Sequence, residues 1–504
     1  MTTTTHNKLV SFIWSIADDE TYAICKSDMM IKGNDPANIR VGSTLSTDEF
    51  AGTTFDFMLS NPPYGKSWSS EQKYIKDGKD VIDPRFQIQL KNYWGELEDA
   101  DAIPRSSDGQ LLFLMEMVSK MKPLTQNTLG TRIASVHNGS SLFTGDAGGG
   151  ESIIRRYIIE NDWLDAIVQL PNNLFYNTGI TTYIWILSNN KSANRKGKVQ
   201  LIDAGQLYRK LRKNLGNKNC EFSPAHIDEI VAAYKDLSAI EHDIADGAEA
   251  HISAKVFDNE DFGYYKVTIE RPKRLKSQFT PEKIEGLRYD RVLREPMQYA
   301  FETFGESIYT DIKSLEKEIL DWCENTDLNL SSANKKKVTQ EKTWEKHLNL
   351  VNAGTELFKA FGDKIFTDFN VFEKEVEKEI KAKKLNIGAS EKKAILNAVS
   401  EYDASAEKVI KKKVKLNADK LADLLRHLDC KENELADFGY FPTNKKSEYI
   451  TYETESDLRD TENVPLKDNI HSYFKREVQP HVNDSWINLD ATKIGYEISF
   501  NKYF

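Results

Sequence analysis

Through roughly the first two hundred residues, short runs rich in Ile, Val, Tyr and Trp alternate with helix-patterned stretches. That order constrains this part of the chain to a parallel α/β sheet. The pattern predicts helices over Glu20–Lys32, Leu111–Met121 and Ser152–Glu160. It predicts strands over Ile39–Val41, Thr54–Leu59, Arg132–Val136, Leu164–Gln169, Thr181–Leu187 and Val199–Ile202. After about Leu275 the signal changes. From Pro281 onward apolar residues fall at helical spacing among many Lys and Glu, as with Phe372, Val376 and Ile380, which predicts a mainly helical second half. A stripe such as Leu421, Leu424, Leu425 and Leu428 suits packing against its own chain by default, or against a partner's helices.

A length of 504 residues suggests about two to four domains, and a hydrophobic content of 39% is enough for ordinary cores. No apolar stretch approaches the roughly twenty residues of a membrane span. The start, Met1 to Thr5, is polar and lacks the basic flank and apolar core of an export signal, so a cytoplasmic location is expected, with no membrane partner. Four cysteines, Cys25, Cys220, Cys323 and Cys430, lie far apart, and they suggest neither a metal site nor a compact disulfide framework. The net charge of −10 argues against a free-standing, nonspecific DNA binder, because duplex affinity is dominated by Lys and Arg neutralising phosphates.

Asn61-Pro62-Pro63-Tyr64 follows the strand-like run from Thr53 to Ser60 and precedes Gly65. An amino-group methyltransferase places its extruded base at such a turn, and the chemistry explains why. An exocyclic amino nitrogen is a poor nucleophile while its lone pair is delocalised into the ring, and accepting both of its hydrogens localises that pair. The Asn61 side-chain carbonyl and the Pro62 backbone carbonyl suit this task, since the prolines stiffen the turn and carry no competing N–H. Tyr64 is placed to stack on the base, and Gly65 permits a tight turn beside it. The plainer alternative is a proline-stiffened loop with Tyr64 packed on the sheet edge.

The donor half of such a site is harder to find. A doubly wound sheet holds a nucleotide-like ligand where a glycine turn lets the backbone approach it. Before Asn61 the only glycines are Gly33, Gly42 and Gly52, and no two make a G-x-G. Gly145-Asp146-Ala147-Gly148-Gly149-Gly150 is the one candidate for a rearranged donor loop. It lacks a Gly-Lys-Ser/Thr and reads instead as a flexible or DNA-facing connection. His137 reads as a loop histidine, because a methylated amino group sheds its proton without a strong base. Lys335-Lys336-Lys337 and Lys411-Lys412-Lys413 read as solvated helix faces, while Tyr208-Arg209-Lys210-Leu211-Arg212-Lys213 suits either a DNA backbone contact or a solvated surface.

Several longer runs resemble the modification (methyltransferase) subunit of type I restriction–modification systems, an N6-adenine DNA methyltransferase family. They are Glu20 to Met30, Gly42-Ser43-Thr44-Leu45, Phe57 to Gly65, Ser141 to Ala147, Ile158 to Leu164 and Leu174 to Ile180. The likeness continues in Ile470 to Phe474, Pro480 to Val482 and Lys493 to Phe500. His6 to Asp18 is similar to the opening helix of these subunits, at the wrong distance. In the family a helical segment, a glycine-rich donor loop and a ribose-binding acidic residue intervene before the helix that here starts at Glu20. The resemblance therefore implies an internal deletion near Asp19 and Glu20.

It also implies three regions: 1–19, a remnant of an N-terminal helical domain; 20–275, a partial catalytic domain; and 276–504, a helical region for assembly. The implied fold is a Rossmann-like methyltransferase sheet, incomplete at its N-terminal half, followed by a mainly helical C-terminal region. The implied activity is transfer of a methyl group from S-adenosylmethionine to N6 of adenine in a specific sequence of double-stranded DNA, with Asn61, Pro62, Pro63 and Tyr64 catalytic. The implied partners are a specificity subunit that reads the sequence, a second modification subunit and a restriction subunit. The alternative is a catalytically inactive assembly or DNA-contact module. Action on RNA or on a glutamine side-chain amide is a further possibility, against which the type I-like tail argues.

Overall fold

The computed structural model describes residues 14–16, 19–124, 129–241, 252–326 and 328–504. The chain divides into two compact units. One comprises the described residues up to Thr268 together with Thr461–Lys475 and Leu489–Phe504, and the other comprises Ile269–Asp460 and Arg476–Asn488. The first crossing comes after Thr268, and the chain's last residues return to the first unit.

The first unit is built on strands β1 (Trp14–Ile16), β2 (Ile39–Val41), β3 (Phe57–Ser60), β4 (Arg132–Asn138), β5 (Leu164–Gln169), β6 (Thr182–Ser188), β7 (Lys198–Asp203), β8 (Arg209–Leu215), β9 (Lys218–Glu221) and β10 (Ser253–Asp258). Its main helices are α1 (Asp19–Ile31), α2 (Gln110–Ser119), α3 (Gly150–Glu160) and α4 (Pro224–Asp236). Six strands form the main sheet in the order β10-β7-β5-β6-β4-β3. Strands β3 and β4 are parallel, as are β5 and β7, and β6 runs antiparallel to both of its neighbours. The sheet is therefore mixed where the alternation predicts a parallel one. The link from Leu170 to Thr181 contains no helix, so the chain returns beside β5 in hairpin sense instead of crossing over.

Central strands read as continuous apolar runs because both faces are covered. In β5 every residue from Leu164 to Val168 is buried. Leu111, Leu112, Leu114 and Met115 of α2 and Ile154, Ile158 and Ile159 of α3 share one core with Ile133, Trp185 and Leu201. The C-terminal residues Tyr496, Ile498 and Phe500 complete it.

Two elements differ from expectation at their ends. The motif strand begins at Phe57 rather than Thr54, because the Phe55 amide donates to Lys120 O (3.1 Å) and the Thr131 hydroxyl donates to Phe55 O (2.7 Å). Those bonds tie Phe55 away from the β4 ladder. At the start of the chain, Trp14–Ile16 is a strand paired in parallel with Ile39–Val41, where an opening helix over His6 to Asp18 is expected. Aromatic and β-branched residues such as these favour an extended chain when a partner strand is at hand. The rest of that expected helix, 6–13 and 17–18, lies outside the described residues.

The second unit is helical from Pro281 to Val399. Long helices at Ile312–Asn325, Glu341–Phe361 and Phe369–Ala382 bury Ile319, Trp344, Leu357, Phe372 and Val376. Ile380 is partly buried against the core that holds Leu357, Phe372 and Val376. Beyond it lies a three-stranded sheet of Ile410–Lys415, Glu448–Tyr452 and Phe441–Pro442. Lys411, Lys412 and Lys413 thus lie on an exposed strand, not a helix, because Ile410 and Val414 pair across to Tyr452 and Tyr449. Lys335–Lys337 do lie on a helix, Ser332–Val338. The helix Ala418–Leu428 packs its stripe of Leu421, Leu424, Leu425 and Leu428 against Leu416, Leu435 and Tyr449 of its own chain.

Candidate active site

Because β3, β4, β5 and β7 all point the same way, the loops that follow them share the carboxyl edge of the sheet. The Asn61-Pro62-Pro63-Tyr64 turn leaves β3 there, one residue after Ser60 pairs with Ser135. Pro62 is buried and anchors the turn, whereas Asn61 and Pro63 are exposed. Tyr64 is half-buried, and that burial pushes its phenol pKa above the usual value. Its ring is therefore supported and still reachable. Gly65 turns with φ of +67°, a conformation that a side chain would strain.

A carboxylate that the sequence reading missed braces this turn. The Gly65 amide donates to Asp108 Oδ1 at 3.0 Å, and Asp108 is only 7% exposed. The other oxygen, Oδ2, accepts from Gln110 Nε2 (2.7 Å) and from the Ser140 hydroxyl (3.0 Å). Gln110 also donates to Asn138 Oδ1 (2.7 Å) and accepts from the Asn138 amide (3.1 Å). One buried network thus links the turn after β3, the start of α2 and the turn after β4. Just downstream, the Gly109 amide donates to Lys66 O (3.1 Å), the Trp68 amide to Ser106 O (3.0 Å) and Trp68 Nε1 to Arg105 O (2.9 Å). Asp108-Gly109 ahead of an apolar helix is a recognisable helix-start signal, but nothing local tells which distant amide it holds.

His137 is not in a loop. It closes β4 as a fully buried residue, with Nδ1 3.2 Å from Gln110 Oε1 and its ring edge-on to Trp185 at 5.8 Å. Burial pushes its pKa down to about 3, so it is neutral at physiological pH and its role is to hold Gln110.

The Gly145–Gly150 segment is no ligand cradle. A Cβ at Gly150 would lie 1.6 Å from Ile103 O, so the first turn of α3 is already filled by backbone. The Gly149 amide donates to Asp146 O (2.7 Å), the Ala147 amide donates to Asp146 Oδ1 (2.8 Å), and Glu151 accepts from the Arg105 amide (3.0 Å). Among the described residues no strand pairs with the outer side of β3, and Phe57 and Leu59 on one of its faces are 74% and 84% exposed. Among the described residues no strand followed by a G-x-G turn pairs with that edge, so they do not supply the glycine cradle that a methyl donor would need.

A Rossmann-like sheet flanked by helices, with the Asn-Pro-Pro-Tyr turn at its carboxyl edge, is the fold of a methyltransferase. The chain belongs to the N-6 DNA Methylase family, whose model matches residues 3–272. It is 28% identical over 220 residues to the type I restriction enzyme MjaIX methylase subunit of Methanocaldococcus jannaschii, covering 44% of this chain and 34% of that protein. It is also 28% identical over 236 residues to the type I restriction enzyme MpnII methylase subunit of Mycoplasma pneumoniae, covering 45% and 38%. The aligned region thus spans about a third of the length of these curated relatives. Among solved structures, a type I restriction-modification methyltransferase subunit from Streptococcus thermophilus aligns with a TM-score of 0.38 at 25% identity. That alignment covers 50% of this chain and 46% of the other. No helix among the described residues is long and apolar enough to cross a membrane.

Proposed function

We propose that the chain is a modification subunit of a type I restriction–modification system, acting on N6 of an adenine flipped out of double-stranded DNA. The observation that carries this reading is the braced turn itself: Asn61 exposed, Pro62 anchored and Tyr64 half-buried but reachable, at the end of a strand in a member of this family. Asn61 Oδ1 and the Pro62 carbonyl accept the two amino hydrogens, Pro63 keeps the turn stiff and Tyr64 stacks on the base. These residues hold the acceptor. S-adenosylmethionine is the donor that this reading calls for, and the described residues offer it no cradle. A specificity subunit supplies the sequence reading and much of the grip that an acidic chain lacks, with a second modification chain and a restriction subunit as further partners in the cytoplasm.

The test is methyl incorporation into adenine by the complex with its specificity subunit. Asn61→Ala should assemble normally and transfer nothing, and retained transfer would refute the role of Asn61. The bare outer side of β3 favours a second reading, a catalytically inactive assembly or DNA-contact module. Calorimetry of the chain with S-adenosylmethionine separates the two: no heat of binding supports the inactive module, and stoichiometric binding excludes it.

A further inference from the structure

The hairpin formed by β8 and β9 is pinned on one strand and open on the other. Strand β9 is held to the loop after β5: the Asn219 amide donates to Asn173 O (3.1 Å), the Asn217 amide to Tyr176 O (2.9 Å), Lys218 Nζ to Leu174 O (2.9 Å) and the Cys220 thiol to Asn172 O (3.2 Å). At the tip Gly216 adopts φ of +64°, and a Cβ there would meet Tyr176 O at 2.7 Å, so the turn sits tightly on that loop. Strand β8 faces solvent. Arg209, Lys210, Arg212 and Lys213 are all exposed, and only Arg209 has a carboxylate partner among the described residues, Glu221 at 2.7 Å. The hairpin carries Arg209, Lys210, Arg212, Lys213 and Lys218 against the single acid Glu221, within a chain of net charge −10.

Its position gives the charge a meaning. β8 follows β7, and β9 is fixed to the loop after β5, so the ribbon stands on the same carboxyl edge of the sheet as the Asn61 turn. We infer that this hairpin is a phosphate clamp for the DNA duplex, gripping the backbone while a base occupies the Asn61 site. The inference rests on the DNA reading above and adds a surface to it. The pairing is regular at Arg209 and Lys210 and bulges between Lys210 and Leu215, which turns Arg212 and Lys213 out of the ladder. Exposed Lys and Arg on such a ribbon suit a polyanion, because each neutralised phosphate releases a counterion and a two-stranded ribbon matches the width of a groove. A protein-docking edge would instead present aromatic anchors, and β8 has none.

The experiment is fluorescence anisotropy of the full chain, assembled with its specificity subunit, with a labelled duplex across a salt series, without donor. Lys210→Gln/Arg212→Gln/Lys213→Gln should lower affinity by more than about tenfold at 0.1 M salt and make the log–log salt slope shallower by about two to three, for specific and scrambled duplexes alike. Lys210→Arg/Lys213→Arg should keep the parent slope, which guards against a folding artefact, and Lys335→Gln/Lys336→Gln/Lys337→Gln in the second unit should also keep it. A triple hairpin variant whose complex keeps the parent affinity and slope would overturn the proposal. Because methyl transfer is not read, failure of the clamp stays distinct from failure of the Asn61 role, which is read by transfer alone.

Discussion

The backbone amide of Gly65 and the Asp108 carboxylate, 43 residues apart, meet at 3.0 Å, and this bond fixes where the Asn61 turn ends. Asp108→Ala strips the Gly65 amide, Gln110 Nε2 and the Ser140 hydroxyl of an acceptor in one step. The Gly65 amide loses its acceptor, while Gln110 and Ser140 keep Asn138 Oδ1, so the first unit should lose about 1–2 kcal/mol of stability, read by native-state hydrogen exchange of the β4 amides. A loss below about 0.5 kcal/mol would show that the turn is rigid without its brace.

His137 sets a pH dependence. Burial lowers its folded-state pKa to about 3, below the roughly 6.5 of the unfolded chain, so the unfolded state takes up the proton first. The stabilisation is fully present above about pH 6.5 and is lost as pH falls toward about 3, at close to 1.4 kcal/mol per pH unit. Between pH 7 and 5 the first unit should weaken by about 2 kcal/mol in the parent, and His137→Gln should remove most of that slope. Equal slopes in the two proteins would mean that His137 is solvated.

The uneven legibility of this chain has a physical cause. Leu164–Gln169 and Ile39–Val41 are strands with the bounds that the sequence predicts, since a buried run or a short β-branched segment carries its own signal. The Asn61 turn is likewise legible because two prolines act locally. Strand direction and bracing are not local: β6 turns antiparallel because its link lacks a helix, and Asp108 matters only once folding brings Gly65 to it. His137 illustrates the same limit, as its burial depends on β4 running two residues past Val136 beneath Gln110 and Trp185.

Arg155 ties the chain's last residues to the sheet. It is fully buried, and its guanidinium donates to Tyr496 O (2.6 Å), Ser141 O (3.1 Å) and Gly145 O (3.3 Å). With burial outweighing the nearby acids, its pKa is pushed down to about 10. An ammonium cannot fork to three separated carbonyls, so Arg155→Lys should destabilise the first unit by about 2 kcal/mol and raise exchange at Tyr496 and Ile498 first. Uniform exchange along the unit would deny Arg155 this tethering role.

The two faces of β3 should respond oppositely to substitution. Met58 pairs with Ile133 on the side packed into the core, where Ile133 is 1% exposed, while Leu59 pairs with Ala134 on the bare side. Ile133→Ala removes packed methyl groups and should cost about 2–4 kcal/mol. Leu59→Thr and Phe57→Thr remove only exposed surface, so each should shift stability by less than about 0.5 kcal/mol, and together they should reduce the self-association expected of an apolar strand edge, read by light scattering. If Leu59→Thr instead cost as much as Ile133→Ala in the isolated chain, this face of β3 would have to be covered, and the absence of a donor cradle beside it would no longer follow.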